Sequence, residues 1–172
     1  MDNAPDPARE YSQDALNQVA ARVAARLIDR RESVAVVESS AAGLISAALL
    51  AVPGASRFFV GGAVVYTATA RESLLGITLS DMAGLRSASE AYAQMLARRV
   101  RDRLGASWGL AETGAAGPEG NRYGDPAGHS CLALAGAIEG VTAIRTGLSD
   151  RATNMRAFAI EALQRIEGAL GP

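Results

Sequence analysis

One segment constrains this chain more than any other: Val34-Ala35-Val36-Val37-Glu38-Ser39-Ser40-Ala41-Ala42-Gly43. A β-branched run ends in Glu-Ser and passes at once into small, helix-compatible residues. A buried strand that turns directly into a helix belongs to an α/β sheet. The turn puts the Ser39 hydroxyl beside free backbone N–H groups, where a nucleophile can meet an oxyanion site or a phosphate site. The same hydroxyl can also serve as a plain helix cap.

The remaining pattern extends that reading. Leu16, Val19, Val23, Ala24 and Leu27 recur at helical spacing, which predicts a helix from about Tyr11 to Arg30. A further helix is expected over Ala41–Ala51, ended by Val52-Pro53-Gly54. A strand is expected in the second half of Arg57–Tyr66, with Gly61-Gly62 marking a bulge or a close approach. Thr69–Leu75 reads as a short helix closed by Gly76, and Ser87 or Ser89 as the cap of a longer one running to Leu104. Trp108–Glu112 reads as a strand. Ser130–Ala137 and Val141–Thr146 form a hairpin around Glu139-Gly140, and Asp150 starts a last helix to about Ala169. Strands that alternate with helices and end in a hairpin imply a three-layer α/β/α sandwich. Its sheet is mixed and mostly parallel, with an antiparallel end.

At 172 residues the chain is expected to form one domain over 11–172, behind a disordered lead-in over 1–10. That acidic, Pro-containing lead-in is unlike a secretory leader. No apolar run reaches membrane-spanning length. A net charge of −1, with arginine clusters only at predicted helix ends, argues against nucleic acid as a partner. Cys131 is the sole cysteine and lies in an apolar strand, so it reads as a small core residue and fits a cytoplasmic location. No His/Cys cluster or carboxylate spacing suits a metal, and no Walker or dinucleotide glycine pattern suggests a cofactor.

The long segment Thr113–Gly128 follows a strand and is rich in Gly and Pro. Loops of this length are usually functional or mobile. Its first residues, Thr113 and Gly114, fall at a strand's C-terminal edge, where open α/β sheets bind ligands.

Three segments together resemble the CinA C-terminal domain family, which includes stand-alone nicotinamide-nucleotide amidohydrolases. Glu38-Ser39-Ser40-Ala41-Ala42-Gly43, with Pro53-Gly54-Ala55-Ser56 and Gly61-Gly62, is similar to the family's Glu-Ser-Cys-Thr-Gly-Gly and its Pro-Gly-Ser-Ser-like turn. Tyr66-Thr67-Ala68-Thr69-Ala70-Arg71 before Leu74-Leu75-Gly76-Ile77 is similar to Tyr-Ser-Asn-x-x-Lys before Leu-Leu-Gly-Val. Thr113-Gly114-Ala115-Ala116-Gly117-Pro118 matches Thr-Gly-x-Ala-Gly-Pro. Ser89-Glu90 and Asp150-Arg151 also resemble family segments, and the likeness spans about Leu16 to Ala169.

The resemblance implies hydrolysis of the carboxamide of nicotinamide mononucleotide to nicotinate mononucleotide and ammonia. It would give the attack to Ser39, with Tyr66 close by and position 71 holding the activating amine. Ser40, Gly43, Thr113, Gly114 and Gly117 would hold the nucleotide, with backbone near Ser40 and Gly43 serving the oxyanion. A homodimer is also in keeping with it.

The departures from the pattern bear on mechanism. Arg71 stands where the family has lysine, and a guanidinium stays protonated, so it cannot act as a general base. It can still bind phosphate or polarise a carbonyl. Ala41 and Ala68 replace polar residues, and Ala42 adds a methyl where the family has glycine. Glu38 should point away from Ser39, because strand neighbours face opposite sides. Tyr66 carries a phenol, a poor general base in this role. His129, the only histidine, is the one histidine route to base catalysis if it meets Ser39. The alternative to the amidohydrolase is a catalytically silent relative that binds a nucleotide or a protein partner.

Overall fold

The computed structural model describes residues 6–172. Half of the expected lead-in over 1–10, residues 1–5, lies outside them. Its described part includes one helical turn, α1 (Pro7–Glu10). The chain continues as α2 (Gln13–Arg30), β1 (Val34–Glu38), α3 (Leu44–Leu50), a single 3-10 turn (Ala55–Arg57), β2 (Phe59–Val64) and α4 (Ala68–Leu75). It ends with α5 (Glu90–Leu104), β3 (Trp108–Ala115), β4 (His129–Ala135), β5 (Gly140–Arg145) and α6 (Arg151–Leu170).

The five strands lie in the order β2-β1-β3-β4-β5. β1 pairs in parallel with both β2 and β3, while β3–β4 and β4–β5 are antiparallel. Only β4 therefore runs against the others, so the sheet is mixed with four strands in one direction. Strand alternation divides the core into two. Val34, Val36, Leu110, Leu132 and Leu134 face α2, α3 and α6. Ala35, Val37, Ala111, Cys131, Ala133 and Ala135 face α4 and α5. The helices thus cover both sides of the sheet in three layers.

The second face is built from small residues because α5 lies very close to it. A Cβ at Gly109 would overlap the carbonyl oxygen of Ala97 in α5. Larger side chains there would hold the helix off the sheet and leave unfilled space. On the other face α2 buries Leu16, Val19, Ala20, Val23, Ala24 and Leu27, the stripe its periodicity predicts. Full burial of each Leu or Val contributes about 1.5–3 kcal/mol.

Several boundaries follow from local chemistry. Ser12, Thr67, Ser89 and Asp150 cap α2, α4, α5 and α6, each accepting a backbone N–H three residues on. The glycine pair in β2 does both things expected of it. The register slips by one residue at Val60, and a Cβ at Gly62 would press on Ser46 Oγ. β3 runs three residues past its expected end, because Thr113, Gly114 and Ala115 pair with Cys131, Ser130 and His129. The long loop is shortened accordingly.

The helix expected over Ala41–Ala51 starts later, at Leu44. Ala42 and Gly43 both adopt left-handed backbone conformations, with φ of 56° and 97°. A right-handed helix cannot begin until after them. This leaves an irregular turn between β1 and α3, and the site is built around that turn.

Candidate active site

Two buried carboxylates hold the turn. Glu38, at the end of β1, accepts the backbone N–H groups of Gly43, Ile45 and Ser46 at 2.9–3.0 Å and the Ser46 hydroxyl at 2.7 Å. It does the work of an N-cap for α3, whose own cap residue, Gly43, has no side chain to offer. Glu112, in β3, accepts the N–H groups of Ser39 at 3.1 Å and Ala41 at 2.7 Å on one oxygen. Its other oxygen accepts the hydroxyls of Ser40 and, at 2.9 Å, Ser130. Burial pushes the Glu112 carboxyl above the usual carboxylate range, although its four donors pull it down.

These bonds correct one expectation. The N–H groups of Ser39, Ala41 and Gly43 are not free for an oxyanion, because the two carboxylates already occupy them. Glu38 points towards α3, as strand alternation requires, and not to the Ser39 hydroxyl.

Two adjoining cavities open at the turn. The larger, of about 610 Å³, is lined by Ser39, Tyr66, Arg71, Thr113 and Gly114 among others. The smaller, of about 330 Å³, is lined by Ser40, Tyr66, Gly114, Gly117 and Arg151 among others. Tyr66, Gly114 and Asn121 belong to both. The structure therefore brings Ser39, Ser40, Tyr66, Arg71, Thr113, Gly114 and Gly117 together. Gly43 lines neither cavity, since it sits behind the turn against Glu38.

Arg71 is buried in the wall of the larger cavity, its Nε 3.4 Å from the Ile77 carbonyl. Beside it, burial raises the Tyr92 phenol, and a hydrogen bond from Arg71 pulls it back down. Across the cavity Arg86 makes a two-pronged bond to Asp125, at 2.5 and 3.0 Å, and lies 5.5 Å over the Tyr123 ring. Arg122 lies 5.1 Å over the same ring. Arg151 donates to the Gly117 carbonyl at 2.7 Å and to the Tyr66 hydroxyl at 3.4 Å. Four arginines in the two walls favour an anionic ligand.

His129 does not line either cavity. Its Nε2 sits 3.0 Å from the Ala88 carbonyl and 3.7 Å from Asp125, inside the β4 side of the core. Burial pushes the Cys131 thiol up to about 12, which keeps it protonated and inert, as its place in a strand suggests. Among the described residues, no helix is long and apolar enough to cross a membrane.

Sequence reasoning missed Glu112, Arg86, Asn121, Tyr123 and Arg151 as site residues. Glu112 reads as the polar end of a strand; a charge closing an apolar run was its only signal. Arg151 falls in a segment that already resembles the family pattern, which was signal enough to include it.

A serine-bearing turn between strand and helix, facing a glycine loop at the same sheet edge, defines an α/β/α sandwich with two joined cavities at that edge. The chain belongs to the CinA C-terminal domain family, whose model matches residues 16–170. A CinA-like protein of Anaeromyxobacter dehalogenans is 40% identical over 148 residues, covering 86% of this chain and 36% of the relative. A CinA-like protein of Gloeobacter violaceus is 41% identical over 118 residues, covering 69% and 28%. The chain thus spans about a third of the length of these curated relatives. Among solved structures, a CinA superfamily protein of Klebsiella pneumoniae superposes with a TM-score of 0.84 at 26% identity, covering 90% of this chain and 97% of the other. The competence/damage inducible protein CihA of Agrobacterium tumefaciens gives 0.81 at 26% identity, covering both chains in full.

Proposed function

We propose that this chain is an amidohydrolase acting on the carboxamide of a nicotinamide nucleotide, releasing ammonia. The observation that carries the reading is the turn itself: adjacent serine side chains line two joined cavities whose walls hold four arginines. A phosphorylated, aromatic ligand suits such walls, with guanidinium groups for phosphate and tyrosine rings for a base. The family pattern nominates Ser39 for the attack, with Tyr66 beside it and Arg71 as an electrostatic contact. Thr113, Gly114 and Gly117 shape the floor for the nucleotide. The sole cysteine and the lack of a membrane-crossing helix among the described residues support a cytoplasmic place of action.

One observation favours a second reading. Arg71 occupies the position of the family's lysine, so the larger cavity holds a guanidinium in place of the amine of the family's chemistry. On that reading the protein binds the nucleotide without turning it over. The deciding experiment is ammonia release from nicotinamide mononucleotide by the purified protein, beside calorimetric binding of the same compound. Release supports the amidohydrolase; binding without release supports the silent relative.

A further inference from the structure

The amidohydrolase reading needs a base, and the larger cavity offers no carboxylate, imidazole or amine. Among the residues lining it there is no carboxylate, histidine, lysine or cysteine. Its three guanidinium groups, on Arg71, Arg86 and Arg122, have no lone pair to offer as a base, and burial moves Tyr92 away from ionisation. Ser39 therefore has only the phenols of Tyr66 and Tyr123 in that wall, the second lowered by its hydrogen bond with Arg122 but engaged with that guanidinium.

The adjacent serine differs. Ser40 lines the smaller cavity, and its Oγ donates directly to Glu112 Oε1. Of the four donors on Glu112, two are backbone amides and one is the Ser130 hydroxyl, which is buried and lines neither cavity. Ser40, 3% exposed, is the one residue among these donors that both offers a hydroxyl to Glu112 and lines a cavity. The three remaining bonds fix the carboxylate, so it needs no reorganisation to receive a proton. Glu119 also lines this cavity but is exposed on its rim.

We propose that Ser40 and Glu112 are the nucleophile and base of this site. This rests on the amidohydrolase reading and moves its attack one residue along. Ser40 Oγ forms a bond to the carboxamide carbon, the carbonyl electron pair moves to oxygen, and the hydroxyl proton passes to Glu112. Arg151, in the same wall, supplies positive charge for the oxyanion. On collapse the carbon–nitrogen bond breaks, and the nitrogen takes the Glu112 proton and leaves as ammonia. Water then attacks the Ser40 ester, giving one proton to Glu112. The ester bond breaks, Ser40 Oγ recovers that proton, and the carboxylic acid departs. Burial strengthens Glu112 as a base, because it favours the protonated form. Ser39, in the other cavity beside Arg71, becomes a ligand contact.

A fluorophosphonate probe tests the pair without depending on the natural substrate. The expected result is one phosphonylated serine, located at Ser40 by fragmentation mass spectrometry and absent from Ser40→Ala. Its rate should rise with pH through a value above the ordinary carboxylate range and fall about 100-fold or more in Glu112→Gln. A label on Ser39, no label on folded protein, or an unchanged rate in folded Glu112→Gln overturns the pair. Should Glu112→Gln fail to fold, the location of the label and the Ser40→Ala result decide. Ammonia assays keep the two ideas apart. A label on Ser40 without ammonia from nicotinamide mononucleotide supports the pair and removes that substrate. Ammonia with the label on Ser39 supports the amidohydrolase and overturns the pair.

Discussion

Glu38 and Glu112 sit side by side on neighbouring parallel strands, each one residue beyond the Val37–Ala111 pair, and grip opposite ends of one turn. Glu112 holds the Ser39–Ala41 end and Glu38 the Gly43–Ser46 end. The serines are thus positioned by acceptors from the sheet, which satisfy N–H groups that a regular helix start would leave open.

Removing the Glu112 charge should alter stability in a pH-dependent way. Its folded-state pKa is raised by burial, so the folded protein keeps a proton that the unfolded chain releases. That contribution is complete below the unfolded value of about 4.3 and is lost as pH rises through the folded value. In urea titrations, the stability of the wild type relative to Glu112→Gln should fall as pH rises across this window. A difference that stays flat with pH contradicts the assignment.

Ala42→Gly should stabilise the protein. Ala42 has a φ of 56°, a conformation that costs a residue with a side chain about 1–2 kcal/mol. Glycine relieves that strain but raises the entropy of the unfolded chain, leaving a net gain of about 0.5 kcal/mol. The shift of the denaturation midpoint at constant slope measures it.

Gly109→Ala should be among the most damaging single-methyl additions in the chain. The added Cβ overlaps the Ala97 carbonyl oxygen, which belongs to the backbone of α5 and cannot rotate aside. A loss of about 3 kcal/mol is expected, read from thermal or denaturant unfolding.

Arg86 and Asp125 tie the segment before α5 to the glycine-rich loop across the larger cavity. The Arg86 hydrogen bonds hold the Asp125 carboxyl below its ordinary value. A depressed folded-state pKa gives stability that is present above the unfolded value of about 3.9 and lost as pH falls through the folded one. A double-mutant cycle with Arg86→Ala and Asp125→Ala should give a coupling of about 1 kcal/mol at neutral pH that shrinks in acid.

Arg71→Ala should weaken the ligand more than the chemistry. Loss of a charge-assisted contact from a buried guanidinium predicts a KM for nicotinamide mononucleotide raised about tenfold or more. Steady-state kinetics, or calorimetry if there is no turnover, reads the effect.

The sheet was legible because its signals are local. Val34–Val37 is a β-branched run, and Ser89, Asp150 and Gly76 mark helix ends by their own chemistry. The start of α3 was not legible, because alanine does not announce a left-handed backbone, yet Ala42 adopts one. Ser39, Thr113 and Gly114 were legible from the turn and the strand edge, whereas Tyr66, Arg71 and Gly117 were legible only through the family likeness. Glu112 meets Ser40 at a separation of 72 positions along the chain, and Arg151 meets Tyr66 at a separation of 85. No periodicity in the chain encodes such meetings; sheet order and register create them.

The central place of β3 has a consequence for how this protein can change over time. The same eight residues seat α5 through Gly109 and tether the serine turn through Glu112. They also line the larger cavity through Thr113 and Gly114. A lineage drifting away from its chemistry could swap the arginines of the walls one by one. It could not discard the tether without also disturbing the middle of its sheet, so the scaffold of the site should outlast any particular substrate.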